Sequence, residues 1–354
     1  MRIRTASALV IALALLGACG DGDDSPGPSE AASEAASEEA SPSPSASAKP
    51  AGAIAPLTGE RVEDLEPRPV LAVKVENTAD ARPQSGLEDA DIVFEELVEG
   101  GITRFIAIFN SRTPDVVGPI RSGRFVDADV LPAFDAVLFM SGAAEPIRAR
   151  IAERGVPVFD EDGNVLFRDS SRSAPHNVYG SGEAMYEVAA DMTDDAQDVG
   201  WTFAERAPRG AVACPAPCAD PPGEAMTVAM SGVSVTGWEY ERSSGLYRRS
   251  QDGAPQVVTG AGKVGAANVI VLGMQVGPGI CCDPAGNPLV ETTVTGSGRA
   301  IFLRDGERYE GEWTKAGPEE QFTFSLEGGR PYGLKPGPTW VLLASAPSLP
   351  AASD

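Results

Sequence analysis

Two β-rich runs on either side of a glycine pair form the most informative hydrophobic pattern in the chain. Residues 91–99 and 102–109 are rich in β-branched and aromatic side chains, and they flank Gly100 and Gly101. Two glycines between such runs are a strong signal for a two-residue β-hairpin. The pattern therefore predicts antiparallel strands that turn at these glycines.

The predicted hairpin decides which charged side chains share a face. With a two-residue turn, Glu95, Glu99 and Arg104 lie on one face, and Arg104 sits diagonally between the two carboxylates. The other face, which carries Phe94 and Phe105, is predicted to be core. The charged cluster has two interpretations: a salt-bridged patch on the sheet, or carboxylates poised for acid–base chemistry with Arg104 setting their ionisation.

A run of apolar positions after the hairpin predicts an amphipathic helix with Ser122 as its N-cap. Arg121 and Arg124 would then lie at the helix N-terminus, where free backbone N–H groups and the helix dipole already favour anions. This arrangement is typical of a phosphate or carboxylate site. The alternative is that both arginines pair with internal acids such as Glu95 or Asp127.

The remaining elements of this half predict an α/β arrangement. An apolar strand at 136–140, a helix over 144–154 and a strand at 156–159 form a β-α-β unit. Ligands in such sheets favour the carboxyl ends of the strands, which here include the loops at 76–77 and 141–142. We expect Arg121 to lie near these loops.

From about Trp201 the pattern changes to short β-type runs punctuated by Gly and Pro, with a hairpin turn at Asp305-Gly306. We therefore predict an α/β N-terminal domain with a mixed sheet over 56–200. A β-rich, mostly antiparallel C-terminal domain follows over 201–345, and a loose tail over 346–354.

The start of the chain predicts export and anchoring. Residues 1–19 combine a basic flank, a short apolar core and small residues before Cys19, which is typical of a secretory signal. The Leu-Gly-Ala-Cys ending resembles a bacterial lipobox, in which the cysteine is lipidated. Residues 20–55, rich in Ser, Ala, Glu and Pro, predict a disordered tether. The sequence therefore predicts an extracytoplasmic protein held at the membrane by acyl chains on Cys19.

Net charge and cysteine content limit which partners and cross-links are expected. The 354-residue chain has a formal net charge of −23 and no Lys/Arg-rich stripe, which argues against a nucleic-acid partner. Cys214, Cys218, Cys281 and Cys282 remain once Cys19 carries lipid. Outside the cytoplasm they predict two disulfides with three possible pairings, of which cross-pairing between the two sites is favoured.

His176 is the only histidine, which excludes a multi-histidine metal site. The acidic segment 160–164 fails the spacing of an EF-hand, so it is interpreted as a turn, and neither a metal nor a cofactor is expected. His176 and Asn177, with arginines nearby, are interpreted either as a hydrogen-bonding anchor or as a wall of the site.

Several longer motifs resemble one known family. They are VKVEN (73–77), ARPQSGL (81–87), ADIVFE (90–95), VEGGITRF (98–105), GPIRS (118–122) and APHN (174–177). In this order they are similar to the YerB-like family of lipoproteins over most of the chain after Leu57. The resemblance implies a two-part envelope lipoprotein of Gram-positive type. Gln256 stands where many relatives have a histidine, which weakens any mechanism that needs a second imidazole.

These observations lead to three functional hypotheses. The first is a binding or interaction module for an anionic envelope ligand. Its predicted ligand-binding residues are Arg82, Arg104, Arg121, Ser122, Arg124, His176 and Asn177. The second is an envelope hydrolase or transferase that uses Glu95 or Glu99 with His176. The third is a protein–protein scaffold without a small-molecule site.

Overall fold

The computed structural model describes residues 52–195, 200–213, 222–260, 262–283 and 286–349. The predicted signal sequence with Cys19 and nearly all of the tether lie outside these residues. So do Cys214, Cys218 and the side chain of Cys281, while Cys282 is exposed at a strand end. Lipidation and disulfide pairing therefore stay predictions.

Short strands dominate the described residues. The helices are α1 (Phe125–Val130), α2 (Glu145–Glu153) and α3 (Gly182–Ala189). The strands are β1 (Ala53–Ile54), β2 (Arg61–Val62), β3 (Leu71–Glu76), β4 (Ile92–Leu97), β5 (Thr103–Phe109), β6 (Val116–Val117), β7 (Val137–Met140), β8 (Val158–Asp160), β9 (Leu166–Arg168), β10 (Val178–Ser181), β11 (Ala225–Ala229), β12 (Val235–Glu241), β13 (Leu246–Gln251), β14 (Ala254–Pro255), β15 (Val257–Val258), β16 (Gly262–Lys263), β17 (Gly265–Ala266), β18 (Asn268–Cys282), β19 (Pro288–Thr293), β20 (Gly296–Arg304), β21 (Glu307–Lys315), β22 (Thr323–Leu326), β23 (Arg330–Pro331) and β24 (Thr339–Ser345).

One long mixed sheet takes strands from both halves of the chain. Its order is β23-β22-β21-β20-β18-β24-β4-β5-β3-β7-β8, and β19 pairs with the outer part of β18. Strand β24 runs parallel to β18 on one side and to β4 on the other. The predicted fold class, α/β with a mixed sheet followed by mostly antiparallel strands, is confirmed. Because the sheet is shared, the domain boundary near residue 200 stays a prediction.

The predicted β-α-β unit is present as β7, α2 and β8, with β7 parallel to β8. The predicted turn at Asp305-Gly306 joins β20 to β21, and both of its residues have positive φ, as a tight hairpin turn requires. No helix among the described ranges is long and apolar enough to cross a membrane.

Both faces of the sheet are covered. On one face, Phe94 and Ile106 join an apolar core with α1 and α2 and with aromatic side chains of the C-terminal half. On the other face, Val93 and Phe105 join a second core with α3 and the sheet formed by β11, β12 and β13. A central strand covered on both sides must be apolar at nearly every position, so each charge within it needs an internal partner.

The β4–β5 hairpin is present, but the predicted register was wrong by one residue. Glu95 lies opposite Phe105 and Glu96 lies opposite Arg104, because the chain turns over a longer loop in which Val98 N–H donates to Ile102 O. A shift of one residue moves a side chain to the other face of a sheet. Glu95 and Arg104 therefore lie on opposite faces, and the predicted Glu95–Arg104–Glu99 cluster does not form.

The predicted helix is also shifted. Helix α1 begins at Phe125, and Arg124 is its N-cap residue, with the Arg124 backbone N–H donating to the Asp127 carboxylate at 2.5 Å. Ser122 lies before the helix, and its hydroxyl donates to Ser141 O at 3.0 Å. A serine side chain favours the N-cap position, which is why the sequence predicts Ser122 there. In the structure the helix start is fixed instead by the Asp127 carboxylate, which accepts from the Arg124 backbone N–H.

We predict that ionisation of Asp91 gives the fold a measurable pH dependence. Asp91 precedes β4, accepts N–H bonds from Asn110 and Ser111, and burial raises the pKa of its carboxyl to about 6. Since this exceeds the unfolded value of about 3.9, the folded state binds more protons between roughly pH 4 and 6. The free energy of unfolding should therefore fall by roughly 2 kcal/mol as pH rises through that window.

The variant Asp91→Asn keeps an oxygen acceptor and removes the titration. Urea unfolding of both proteins at pH 4 and pH 7 should show the wild type losing stability relative to the variant as pH rises. A stability difference that is equal at the two pH values would contradict the assignment.

Candidate functional site

Glu95 is fully buried and serves as an internal anchor. Its carboxylate accepts hydrogen bonds from Thr103, Thr236 and Trp340, and it forms a 2.7 Å ion pair with Arg249. Neither side chain of the pair is exposed. Burial and four internal partners argue against Glu95 as an accessible catalytic carboxylate, and its predicted catalytic role stays a prediction that the structure does not favour.

The Glu95–Arg249 ion pair is surrounded by aromatic rings and side-chain amides. The Arg249 guanidinium lies 5.0 Å from the Phe105 ring centroid and 5.2 Å from that of Trp340. It also donates to Gln251 at 2.7 Å and to Gln256. Gln256 is thus a buried link between Arg249 and Gln84.

A second charged cluster lies on the other face of the sheet. Lys74 donates to both Glu96 and Asp127, and all three side chains are fully buried. Burial and the neighbouring Asp127 raise the pKa of Glu96, whereas Lys74 lowers it. The cluster ties β3, β4 and α1 together.

Two arginines converge on the backbone of Ser122, and a third immediately precedes it in the sequence. Arg104 donates to Ser122 O at 3.0 Å and Arg124 at 3.2 Å, while Arg121 is the residue before it. Burial, followed by the charges of Arg124 and Arg121, lowers the pKa of Arg104 to about 9. Arg104 and Arg121 each have a buried Nε without a hydrogen-bond partner within the described part of the chain.

Arg124 is engaged internally. Its Nε and Nη2 both bond Glu99, at 2.9 and 2.5 Å, and its Nη1 donates to Ser122 O and Gly123 O. The alternative that Arg124 pairs with an internal acid is therefore the correct one, although the acid is Glu99. Glu99 is equally committed, which argues against its predicted role as an acid–base group.

Arg121 is more open and lies where the β-α-β topology predicts. Its backbone N–H donates to Lys74 O and its carbonyl accepts from Ser141 N, so it sits at the carboxyl ends of β3 and β7. Its Nε lies 3.5 Å from Glu76 Oε1, and its Nη1 donates to Pro175 O at the same distance. These long contacts leave the guanidinium with donor capacity.

His176 binds the other oxygen of the same carboxylate. Its Nδ1 lies 2.9 Å from Glu76 Oε2, and its Nε2 lies 4.0 Å from Asp80 Oδ2. Glu76 is buried, and its Oε1 accepts from the Thr78 hydroxyl at 2.9 Å. We call Arg121, Glu76 and His176 the Glu76 site.

The loop that carries His176 is fixed by arginines. Arg172 donates to the carbonyl oxygens of Asp80, Ala81 and Pro83. Asn177 accepts from Arg168 at 2.8 Å. Asn177 is thus a brace for this loop.

Arg82 and Glu99 make their contacts outside the Glu76 site. Arg82 donates to Thr78 O and lies 3.7 Å from Asp252 Oδ2. Glu99 contributes to an apolar groove of about 530 Å³, which is lined by residues 97–101, 276–278 and 287–290. Arg121 and His176 are not among the residues that line this groove. No cluster of His, Cys, Asp and Glu in the described ranges could hold a metal ion.

Comparison with known proteins identifies the family. The model described as "Protein of unknown function (DUF3048) N-terminal domain" matches residues 57–195, and its C-terminal counterpart matches residues 226–341. A Bacillus subtilis (strain 168) protein named "Putative lipoprotein YerB" is 29% identical over 311 residues, which are 84% of this chain and 88% of that protein. The chain belongs to the YerB-like family.

The crystal structure of the YerB protein from Bacillus subtilis has the same fold. It aligns with a TM-score of 0.68 and 25% sequence identity, and the match covers 81% of this chain and 95% of that one. The YerB-like fold therefore extends over both halves, as the resemblance implies.

Sequence reasoning brought Arg121, Ser122 and His176 into one region but missed Glu76 as their partner. The available signal was the position of Glu76 at the end of a predicted strand, in a loop where ligands bind. Its contact with His176 spans 100 residues of sequence, so no local pattern could show it.

We predict that removing Arg249 destabilises the protein by about 3–5 kcal/mol, because it leaves Glu95 charged and unpaired in the core. Arg249→Met should show this loss in urea unfolding. Adding Glu95→Gln removes the buried charge and still accepts from Thr103 and Thr236, so the double variant should recover part of the stability.

Comparison with Glu95→Gln alone completes the cycle and gives the coupling between the two side chains. Single-variant losses that simply add in the double variant would show that the pair is not coupled.

Proposed function

We propose that this YerB-like protein is a membrane-anchored extracytoplasmic lipoprotein that binds an anionic ligand at the Glu76 site. Arg121 would contact the ligand directly, with Arg104 as a buried positive charge beneath it. The observation that carries the proposal is that, among the described residues, both arginines retain a buried Nε without a hydrogen-bond partner; that of Arg121 has only the long 3.5 Å contact with Glu76 Oε1. Leaving such donors unsatisfied costs free energy, which a ligand oxygen could offset.

Directed donors, more than net charge, favour an anion here. The charged groups around Ser122 balance: Lys74, Arg104, Arg121 and Arg124 face Glu76, Glu96, Glu99 and Asp127. A planar guanidinium in a partly buried setting binds phosphate or carboxylate oxygens with defined geometry. Selectivity for oxyanions over chloride is therefore expected.

The anchoring part of the proposal rests on the sequence and on the relative. The lipobox at Cys19 resembles that of bacterial lipoproteins, and the Bacillus subtilis relative carries lipoprotein in its name. The predicted tether would let the folded part stand off the membrane surface. An envelope ligand is the natural partner for a protein placed there.

We predict that inorganic phosphate or pyrophosphate raises the melting temperature of the purified protein, at constant ionic strength, by a few degrees. A ligand at a hundred times its dissociation constant adds about 2.7 kcal/mol to the free energy of unfolding. Arg121→Ala should abolish this shift, because it removes the partly exposed guanidinium of the site.

The matched control is Arg242→Ala. It removes the same charge from an exposed arginine that bonds Glu224 instead of the site. The control should keep the full shift. If Arg121→Ala responds like the control, or if no oxyanion shifts the wild type more than chloride does, the proposed anion site is rejected.

A further inference from the structure

The imidazole of His176 is oriented by a buried carboxylate, and its second nitrogen lies 4.0 Å from the exposed carboxylate of Asp80. We propose that His176 and Glu76 form an acid–base dyad that hydrolyses a phosphate ester bound at Arg121. This inference rests on the proposed anion site and adds a chemical step to it.

The contact between the two residues fixes the tautomer. A carboxylate can only accept a hydrogen bond, so at 2.9 Å from Glu76 Oε2 the Nδ1 of His176 must carry the proton. In the neutral ring, Nε2 then holds the free lone pair. Nε2 is therefore the atom that can take a proton from water.

Nothing in the described surroundings occupies Nε2. Asp80 Oδ2, at 4.0 Å, is too far for a hydrogen bond, and its side chain is 83% exposed. The His176 side chain is 22% exposed, so water reaches it. Glu76 is only 1% exposed, so the dyad has one buried member that orients and one accessible member that reacts.

The dyad is also held in place before any ligand arrives. Glu76 is fixed through its side chain by Thr78 and through its carbonyl by Gln84, which donates at 2.8 Å. The backbone N–H of His176 donates to Ser173 O at 2.9 Å, and Arg172 fixes the loop by donating to Ala81 O. A base that is positioned in advance avoids the ordering cost at the moment of reaction.

Arg121 places an anionic substrate beside the imidazole. It contacts one oxygen of Glu76 while His176 contacts the other, so the guanidinium and the ring are neighbours on a single carboxylate. The substrate class that uses both groups is an ester with an ionised phosphate. The guanidinium would bind its non-bridging oxygens and stabilise the charge that builds up on them.

The reaction balances with water as the only co-reactant. His176 Nε2 takes a proton from a water molecule as the water oxygen forms a bond to phosphorus. The bond between phosphorus and the leaving oxygen breaks on the opposite side, the leaving oxygen takes a proton from solvent, and His176 releases its proton to solvent. The products are an alcohol and inorganic phosphate, or a phosphate monoester when the substrate is a diester. The dyad returns to its starting protonation state.

The test uses p-nitrophenyl phosphate and bis(p-nitrophenyl) phosphate with the full-length protein. Release of p-nitrophenol should fall about 100-fold or more in His176→Asn. The asparagine amide can still donate to Glu76 from the position of Nδ1 but has no titratable nitrogen. Arg242→Ala, outside the site, should keep the wild-type rate.

The single histidine sharpens the test. The pH dependence of the rate should follow the NMR titration of the one imidazole, and this dependence should be absent in His176→Asn. Diethyl pyrocarbonate should inactivate the wild type, and phosphate should protect it. Glu76→Gln, a positioning variant, should lower the rate and displace the pH profile.

Binding is measured in parallel by the phosphate-induced melting shift. A shift without hydrolysis of either ester, or with hydrolysis unchanged in His176→Asn, overturns the dyad and leaves the anion site intact. Absence of both the shift and hydrolysis overturns the two proposals together.

Discussion

The ion pair between Glu95 and Arg249 is the constraint on which the arrangement of the two halves depends. A charge taken out of water costs several kcal/mol unless its partners satisfy it fully, so a buried pair tolerates little displacement. Here Arg249 comes from β13 and Glu95 from β4, and the rings of Phe105 and Trp340 enclose the guanidinium. The outer β-layer can therefore dock on the central sheet in only one register.

The same network reaches the Glu76 site. Gln251 accepts from Asn77, and Gln84 links Gln256 to the carbonyl of Glu76. Hydrogen bonds thus run without a break from the buried pair to the end of β3. The position of Glu76 depends on contacts made by residues that follow it by more than 170 positions, and a buried hydrogen-bonded network of this kind favours a single arrangement.

Much of the architecture could be predicted from local patterns. The β-α-β unit, the turn at Asp305-Gly306 and the paired strands around Gly100 all follow from side-chain periodicity and glycine positions. The hairpin register could not, because Glu99 leaves the strand to bind Arg124, and that lengthens the loop by contacts the local sequence does not show. Because the register is shifted by one residue, Glu95 and Arg104 lie on opposite faces and bind different partners from those predicted.

The candidate site was predictable in location but not in pairing. Clustered arginines and strand-end loops predicted that Arg121 lies beside the loops at 76–77 and 141–142, where the fold places it; that a ligand binds there stays a prediction. Which acid meets which base depends on contacts between residues far apart in sequence, such as Arg249 with Glu95 and His176 with Glu76, and these contacts exist only in the folded sheet.

Strand β24 is made late in synthesis yet lies in the middle of the sheet. Until Thr339–Ser345 inserts between β18 and β4, both of those strands present open edges. A chain that emerges from its N-terminus therefore cannot close its sheet until nearly all of it has been synthesised. Until then the open edges of β18 and β4 can pair with other strands, so an unfinished chain is prone to associate with its neighbours.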